Sequence, residues 1–438
     1  MRIRGLVSGT VGAAVIAAAL LVANAPTSSG ADATPGEGIE CAPGNGTYAL
    51  TTSSGRIAMP DGNTMFSWGY GTAQRSFQLP GPVLCVNEGQ HVTVTLTNSY
   101  KNDDTSLVFP GQSGVLADGV PSLPLADSNG RVTSLAPIAA RNGGTVTYEF
   151  DATRPGTFLY ESGTDVDKQV QMGLFGAIIV YPKCHAVTPS NPTPCDQAYD
   201  DPRTSFEHNR EFLHILSEVD PDVHLAVELN KPVDWSTYSP KYFLLNGRSA
   251  PDTLAPNDAA WLPGQPYGAM VRVRPLGAGG DSLPALVRYV NVSPTDVAYH
   301  PHGNTERVIA EEASPLESTT GDTKDHTYGS FLVDIGASRT VDAMFDWTDV
   351  EQYDPVTNPV PVPVGGFQDL IIKGTWWSMS PYLGHTGELP SGVANHVQCG
   401  EYYHVAHNHS LNKATNYGAT FGGQMTLIRI DPPNGCPA

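Results

Sequence analysis

The sequence predicts an all-β fold built from two β-sandwich domains. Its patterned runs are short, alternate between apolar and polar residues, and are rich in β-branched side chains, as half-buried strands require. Turn clusters such as LPGP, ARNGG and RPGT separate them. With 45 glycines and 37 prolines among 438 residues, no long segment of 3.6-residue period survives, and sandwiches are the natural architecture. A chain of this length exceeds one ordinary core, so two domains are the default.

Taken in order, residues 1–31 open with two arginines, pass through a run of small apolar residues and end in Ala- and Ser-rich sequence. That is the pattern of a secretory signal peptide cut near Ala31, which would place the mature protein outside the cytosol, periplasmic or extracellular. No other window approaches about 18 unbroken apolar residues, so membrane insertion is not expected. Residues 38–183 form the first expected domain, with strands in HVTVTLTN (91–98), GTVTYEF (144–150) and FGAIIVYP (175–182). Residues 184–205, carrying TPSNPTPCDQAYDDPRT, break every strand pattern and read as a linker. The second domain, 206–438, has strands in EFLHIL (211–216), ALVRYVNV (285–292) and MTLIRID (425–431). Within it LGAGG (276–280) reads as a hairpin turn, and EQYDPVTNPVPVPVGG (351–366) as a surface excursion. Trp376 and Trp377 are expected to pack this second sandwich.

The formal net charge of −20 argues against nucleic acid or an anionic membrane surface as a partner. Outside the cytosol the six cysteines should pair. Cys184 and Cys195 flank a Pro-rich loop and suit a local bridge. Cys399 precedes one expected strand and Cys436 follows another, so antiparallel neighbours would bring them together. Cys41 and Cys85 are then left for each other, one preference among 15 pairings.

Histidine supplies the chemical signal. The segment DVAYHPHGN places His300 and His302 one residue apart, and YYHVAHNHS repeats the spacing with His407 and His409. Residues i and i+2 of a strand share a face, so each pair can point two imidazoles at one place. Composition alone predicts roughly 0.4 such pairs in a chain with this histidine content. Four neutral nitrogen donors suit copper(II), and zinc accepts the same set. The alternative is that all four are packing histidines. His404 falls three residues before His407, on the opposite strand face, and is read as structural. His185, His208, His214 and His224 lack paired spacing and read as surface or core residues.

Several stretches resemble the multicopper oxidase family. In the first domain these are PGPVLCVNEGQHVTVTLTN (80–98) and GTFLYESGTDVDKQVQMGLFGAIIVYP (156–182). In the second they are YFLLNGRSAPDTL, LVRYVNVSPTDVAYHPHGN and GEYYHVAHNHSLNKATNYGATFGGQMTLIRID (400–431). The resemblance covers nearly all of the chain beyond residue 31 and implies two cupredoxin-like Greek-key β-sandwich domains rather than three. It also implies a three-copper cluster held by four His-x-His pairs, and a separate electron-accepting copper held by one cysteine and two histidines. Here the first two pairs would fall on Val108 and Pro110, and on Glu161 and Gly163. The other two remain as His300/His302 and His407/His409. The cysteine position is Asn408, and its two histidine positions are Val297 and Lys413; Met425 lies too far downstream to serve as an axial ligand.

What the resemblance implies is therefore a secreted protein with a reduced copper site of one or two ions in the second domain, with Glu161 or water assisting. If active, it would be a copper-dependent oxidoreductase without a blue copper centre, drawing on a small-molecule reductant. The rival reading is a non-catalytic structural, binding or copper-sequestering descendant. Two-domain members can assemble as trimers with copper between neighbouring chains, which leaves a homo-oligomer open.

Overall fold

The strand His91–Thr97 shows how the pattern becomes a sheet. Val92, Val94 and Leu96 are buried while the residues between them are not. In the computed structural model, residues 37–186, 195–276, 282–316, 325–348, 369–380, 394–397 and 399–432 are described. The first sandwich has a six-stranded sheet, in which Thr64–Gly71, Thr47–Ala58, His91–Thr97 and Thr145–Asp151 lie side by side. Facing it are Gly156–Glu161, Phe175–Tyr181 and Leu84–Asn87. Between them packs a core that includes Leu50, Val94, Leu96, Tyr148, Ile178 and Val180.

In the second sandwich, Glu211–Val219 sits inside a nine-stranded sheet, parallel to Ala285–Asn291 and antiparallel to Tyr242–Leu245. The opposing five-stranded sheet runs Val271–Val273, Met425–Ile430, Tyr402–Asn408, Val297–Pro301, Val333–Ile335. The fold is thus all-β with paired cupredoxin-like sandwiches, as the sequence predicts. Two short helices, Val166–Met172 and Pro221–Glu228, interrupt the strands. The second starts where Asp220 accepts hydrogen bonds from the amides of Asp222 (2.9 Å) and Val223 (3.4 Å), with Pro221 opening the first turn.

The runs FGAIIVY and ALVRYVN do not alternate in burial, because both of their faces are covered. Phe175, Ala177 and Ile179 of the first sandwich join Leu213, Ile215 and Val219 of the second in one apolar cluster. A polar cluster spans the same junction. Arg288, with no exposed surface, reaches Glu211 (2.5 Å), Asp342 (3.2 Å) and Thr157 (3.1 Å). Thr157 donates in turn to Asp342 (2.6 Å), and so does the Tyr199 hydroxyl (2.6 Å). Tyr199 comes from the segment read as linker, where Ala198 and Tyr199 are buried against Phe206, Leu286, Ile309 and Met344 of the second domain. Trp376 and Trp377 are buried, and Trp377 packs with Tyr403 and Met425.

Cys41 bonds Cys85 and Cys184 bonds Cys195, as preferred from the sequence. Cys399 is disulfide-bonded; Cys436 lies outside the described residues, as do residues 1–31, 277–280 and the 351–366 excursion. The Cys41–Cys85 bridge links positions 44 residues apart, against 11 for Cys184–Cys195. Closing the longer loop removes more entropy from the unfolded chain. The paired substitution Cys41→Ser/Cys85→Ser is expected to cost about 2–4 kcal/mol in denaturant unfolding, more than the equivalent change at Cys184 and Cys195. The reverse ranking would contradict this account. Among the described residues no helix is long and apolar enough to cross a membrane.

Candidate metal centre

The two His-x-His segments lie on adjacent antiparallel strands of the five-stranded sheet. Val297–Pro301 pairs with Tyr402–Asn408 so that His300 stands directly opposite His407. The pleat then places all four imidazoles on one side. Ring centroids are 4.6 Å apart for His300–His302, 5.1 Å for His300–His409 and His302–His407, and 5.7 Å for His300–His407 and His407–His409. His300 and His407 are half-buried, and His302 and His409 form the open rim.

Backbone carbonyls set the direction of two of these rings. Nδ1 of His300 meets the Phe331 carbonyl, and Nδ1 of His407 meets the Asn408 carbonyl at 2.9 Å. A proton on Nδ1 leaves Nε2 as the lone-pair nitrogen in both, the arrangement that carbonyl partners impose on histidine ligands. Nε2 of His407 stands 3.1 Å from Nε2 of His302. Two nitrogens bound to one ion at about 2.0–2.1 Å and subtending 90–110° would be about 2.9–3.4 Å apart. The two rings are hydrogen-bonded to each other, and the same distance is that of two ligands on one ion. Desolvation, then the neighbouring imidazoles of His300, His407 and His409, push the pKa of His302 down to about 4. Desolvation likewise lowers that of His407, against the Asn408 carbonyl. Both shifts favour the neutral ring that metal binding needs. Among the described residues no group of three or more His, Cys, Asp or Glu side chains is placed so that it could hold a metal ion. The strands supply converging rings and one pair of nitrogens at ligand spacing.

His404 lies on the other face of its strand and packs against Trp347 in tilted orientation at a centroid distance of 4.7 Å, in keeping with a structural role. His214 and His224 are buried core residues. The two orienting carbonyls, of Phe331 and Asn408, were invisible to sequence reasoning because any residue type carries one.

The positions that the family resemblance assigns to an electron-accepting copper are filled otherwise. Asn408 is fully buried, and its amide donates to Gln424 Oε1 at 2.7 Å while its Oδ1 accepts from the Ser410 amide at 2.9 Å. Val297 packs in the sandwich core. Lys413 is buried, with Nζ bonded to Thr295 Oγ1, 3.6 Å from Glu218 Oε2 and 6.0 Å above the Phe243 ring. Met425 belongs to the apolar cluster around Trp377. No thiolate is present there, and a blue copper site requires one.

In the first sandwich Val108 and Glu161 form a backbone bridge (2.9 and 3.2 Å), and Gly163 packs against Val108. Glu161 opens into a recess with Trp235, Tyr238 and Pro294 that includes none of the four histidines.

Residues 73–185 match the family model described as multicopper oxidase. L-ascorbate oxidase from Cucurbita pepo var. melopepo is 30% identical over 174 residues, 39% of this chain and 26% of that protein. Laccase-2 from Botryotinia fuckeliana is 31% identical over 152 residues, 34% and 22% of the respective lengths. The matched segments thus span about a quarter of the length of these relatives. The multicopper oxidase mgLAC superposes with a TM-score of 0.54 at 18% identity, covering 88% of this chain and 86% of that one. The blue copper oxidase from Nitrosomonas europaea gives 0.53 at 19%, covering 88% and 85%. At these identities the two structures speak to fold alone, and the fold is that of paired cupredoxin sandwiches. With the segment matches added, the chain is similar to multicopper oxidases over residues 73–185 and shares their paired-sandwich fold.

Proposed function

We propose that this protein is exported and binds copper, one or two ions, through His300, His302, His407 and His409. Zinc fits the same donors. The observation that carries the reading is the 3.1 Å approach of the His302 and His407 nitrogens within a cluster of four converging rings. A third nitrogen would come from rotation of His300 or His409. The bound ion would supply a redox-active centre open to a small-molecule reductant at the His302–His409 rim. The signal-like residues 1–31 and the disulfides favour export. The proposed domain limits are 38–183 and 206–438, joined by 184–205. Oligomeric state enters as a proposal only: a homo-oligomer would bring a neighbour's side chains to the open rim.

The buried Asn408–Gln424 pair favours a second reading, a non-catalytic binding or copper-sequestering protein, because the fold has settled around the missing thiolate. Protein exported without added copper, titrated with copper(II) and followed by elemental analysis, separates the possibilities. Copper should bind without an intense band at about 600 nm, since no thiolate is available. His300→Ala and His407→Ala should each weaken binding by about tenfold or more, while His208→Ala, on an exposed residue paired with Asp196, should not. Unchanged affinity in both cluster variants would remove the site. Asn408→Cys alone should not produce blue colour or phenol oxidation, because Val297 and Lys413 supply no imidazole. Copper-loaded protein that consumes no oxygen with ascorbate would establish the second reading.

A further inference from the structure

Where the two sandwiches meet, a recess of about 330 Å³ is lined by none of the four clustered histidines. The first sandwich contributes Glu161, Asp167 and Val170, and the second contributes Trp235, Tyr238 and Pro294. Its walls are mainly apolar, and none of the residues lining it is Lys, Arg or His. Trp235 and Tyr238 lie 6.0 Å apart in tilted orientation and make an aromatic wall. Tyr238 is fixed by its hydroxyl, which donates to Glu218 (2.7 Å) or Gln171 (2.8 Å). Glu161 differs from the other acids at the junction. Glu211 and Asp342 are satisfied by Arg288, Tyr181, Thr157 and Tyr199. Among the described residues the carboxyl of Glu161 has neither a hydrogen bond nor an ion pair, although its backbone is locked to Val108. Burial raises its pKa to about 7.

We propose that this recess binds an organic cation with an apolar body, such as an arylalkyl ammonium, with Glu161 as its counter-ion and Trp235 and Tyr238 as its aromatic wall. Each component has a physical reason. A half-buried, partly desolvated carboxylate gains from a charged donor that replaces its lost hydration. An ammonium group near an aromatic face is attracted by the ring quadrupole. Val170 and Pro294 give the apolar body somewhere to leave water. The second acid, Asp167, and the absence of cationic lining residues set the sign of the local field. A net charge of −20 concentrates cations around the molecule at low salt.

The test compares 4-phenylbutylammonium with 4-phenylbutanol, which keeps the apolar body and removes the charge, by calorimetry and tryptophan emission on the full chain. The ammonium should bind at pH 8 at least about tenfold more tightly than the alcohol. Glu161→Gln, nearly isosteric, should abolish that preference and leave the alcohol unchanged. Trp235→Ala, at a 37% exposed position, should weaken both. Ammonium affinity should also fall between pH 8 and pH 6 as Glu161 takes up a proton, a dependence absent from Glu161→Gln. Equal affinity for the two probes, an ammonium preference that survives Glu161→Gln, or no binding of either would overturn the assignment. Near-ultraviolet circular dichroism on each variant shows whether the fold is intact. Because these probes involve no metal, the outcome is independent of the copper reading.

Discussion

Arg288→Met should destabilise the protein by about 3–5 kcal/mol, a large share of the roughly 5–15 kcal/mol that holds a typical domain folded. The guanidinium has no exposed surface and stands between Glu211 at 2.5 Å and Asp342 at 3.2 Å. Methionine fills similar volume but leaves both carboxylates facing a low-dielectric junction without their cation. Hydroxyls remain, from Tyr181 to Glu211 (3.0 Å) and from Thr157 and Tyr199 to Asp342 (2.6 Å each). They soften the loss but cannot neutralise two charges. Arg288→Met/Asp342→Asn, with one charge fewer to leave unpaired, should recover part of the stability. Denaturant unfolding measures both. A single-variant loss under about 1 kcal/mol would show that water reaches the junction and screens the carboxylates.

Lys413→Met carries the second large effect. Its ammonium is buried 3.6 Å from Glu218 Oε2, an oxygen that is itself buried and accepts no hydrogen bond. Removing the lysine strands that carboxylate, and a loss of about 3 kcal/mol is expected. Glu218→Gln in the same chain should return part of it, because the amide carries no charge to desolvate and still offers an oxygen to the Tyr238 hydroxyl. The double-mutant cycle should give a coupling of about 1 kcal/mol or more. Strict additivity would mean that Lys413 stabilises by packing over Phe243 alone.

Strand positions were legible because burial on one face writes itself as alternation. His91–Thr97 shows this residue by residue. The helix Pro221–Glu228 has no counterpart in the sequence expectation, because eight residues are too few for a 3.6-residue period to stand out. Pairing within each His-x-His segment followed from strand geometry; the opposition of His300 and His407 required the register of two strands more than 100 residues apart. The setting of Arg288 was hidden for a similar reason. In ALVRYVN it looks like a polar residue on a half-exposed strand, and its partners come from positions 157, 211 and 342. The recess at Glu161 is assembled from four distant segments and left no local signal at all.

The junction between the sandwiches has a consequence for inheritance and engineering. Phe175, Ala177 and Ile179 meet Leu213, Ile215 and Val219 as interior surface. The connecting segment is built into the same interior through Tyr199. A cut near residue 184 would bare a greasy sheet face on both products and orphan the carboxylates around Arg288. Neither half can be borrowed as an interchangeable module. Recombination, truncation and domain shuffling are therefore constrained to act on the whole two-sandwich unit, while loops far from the seam stay free to vary.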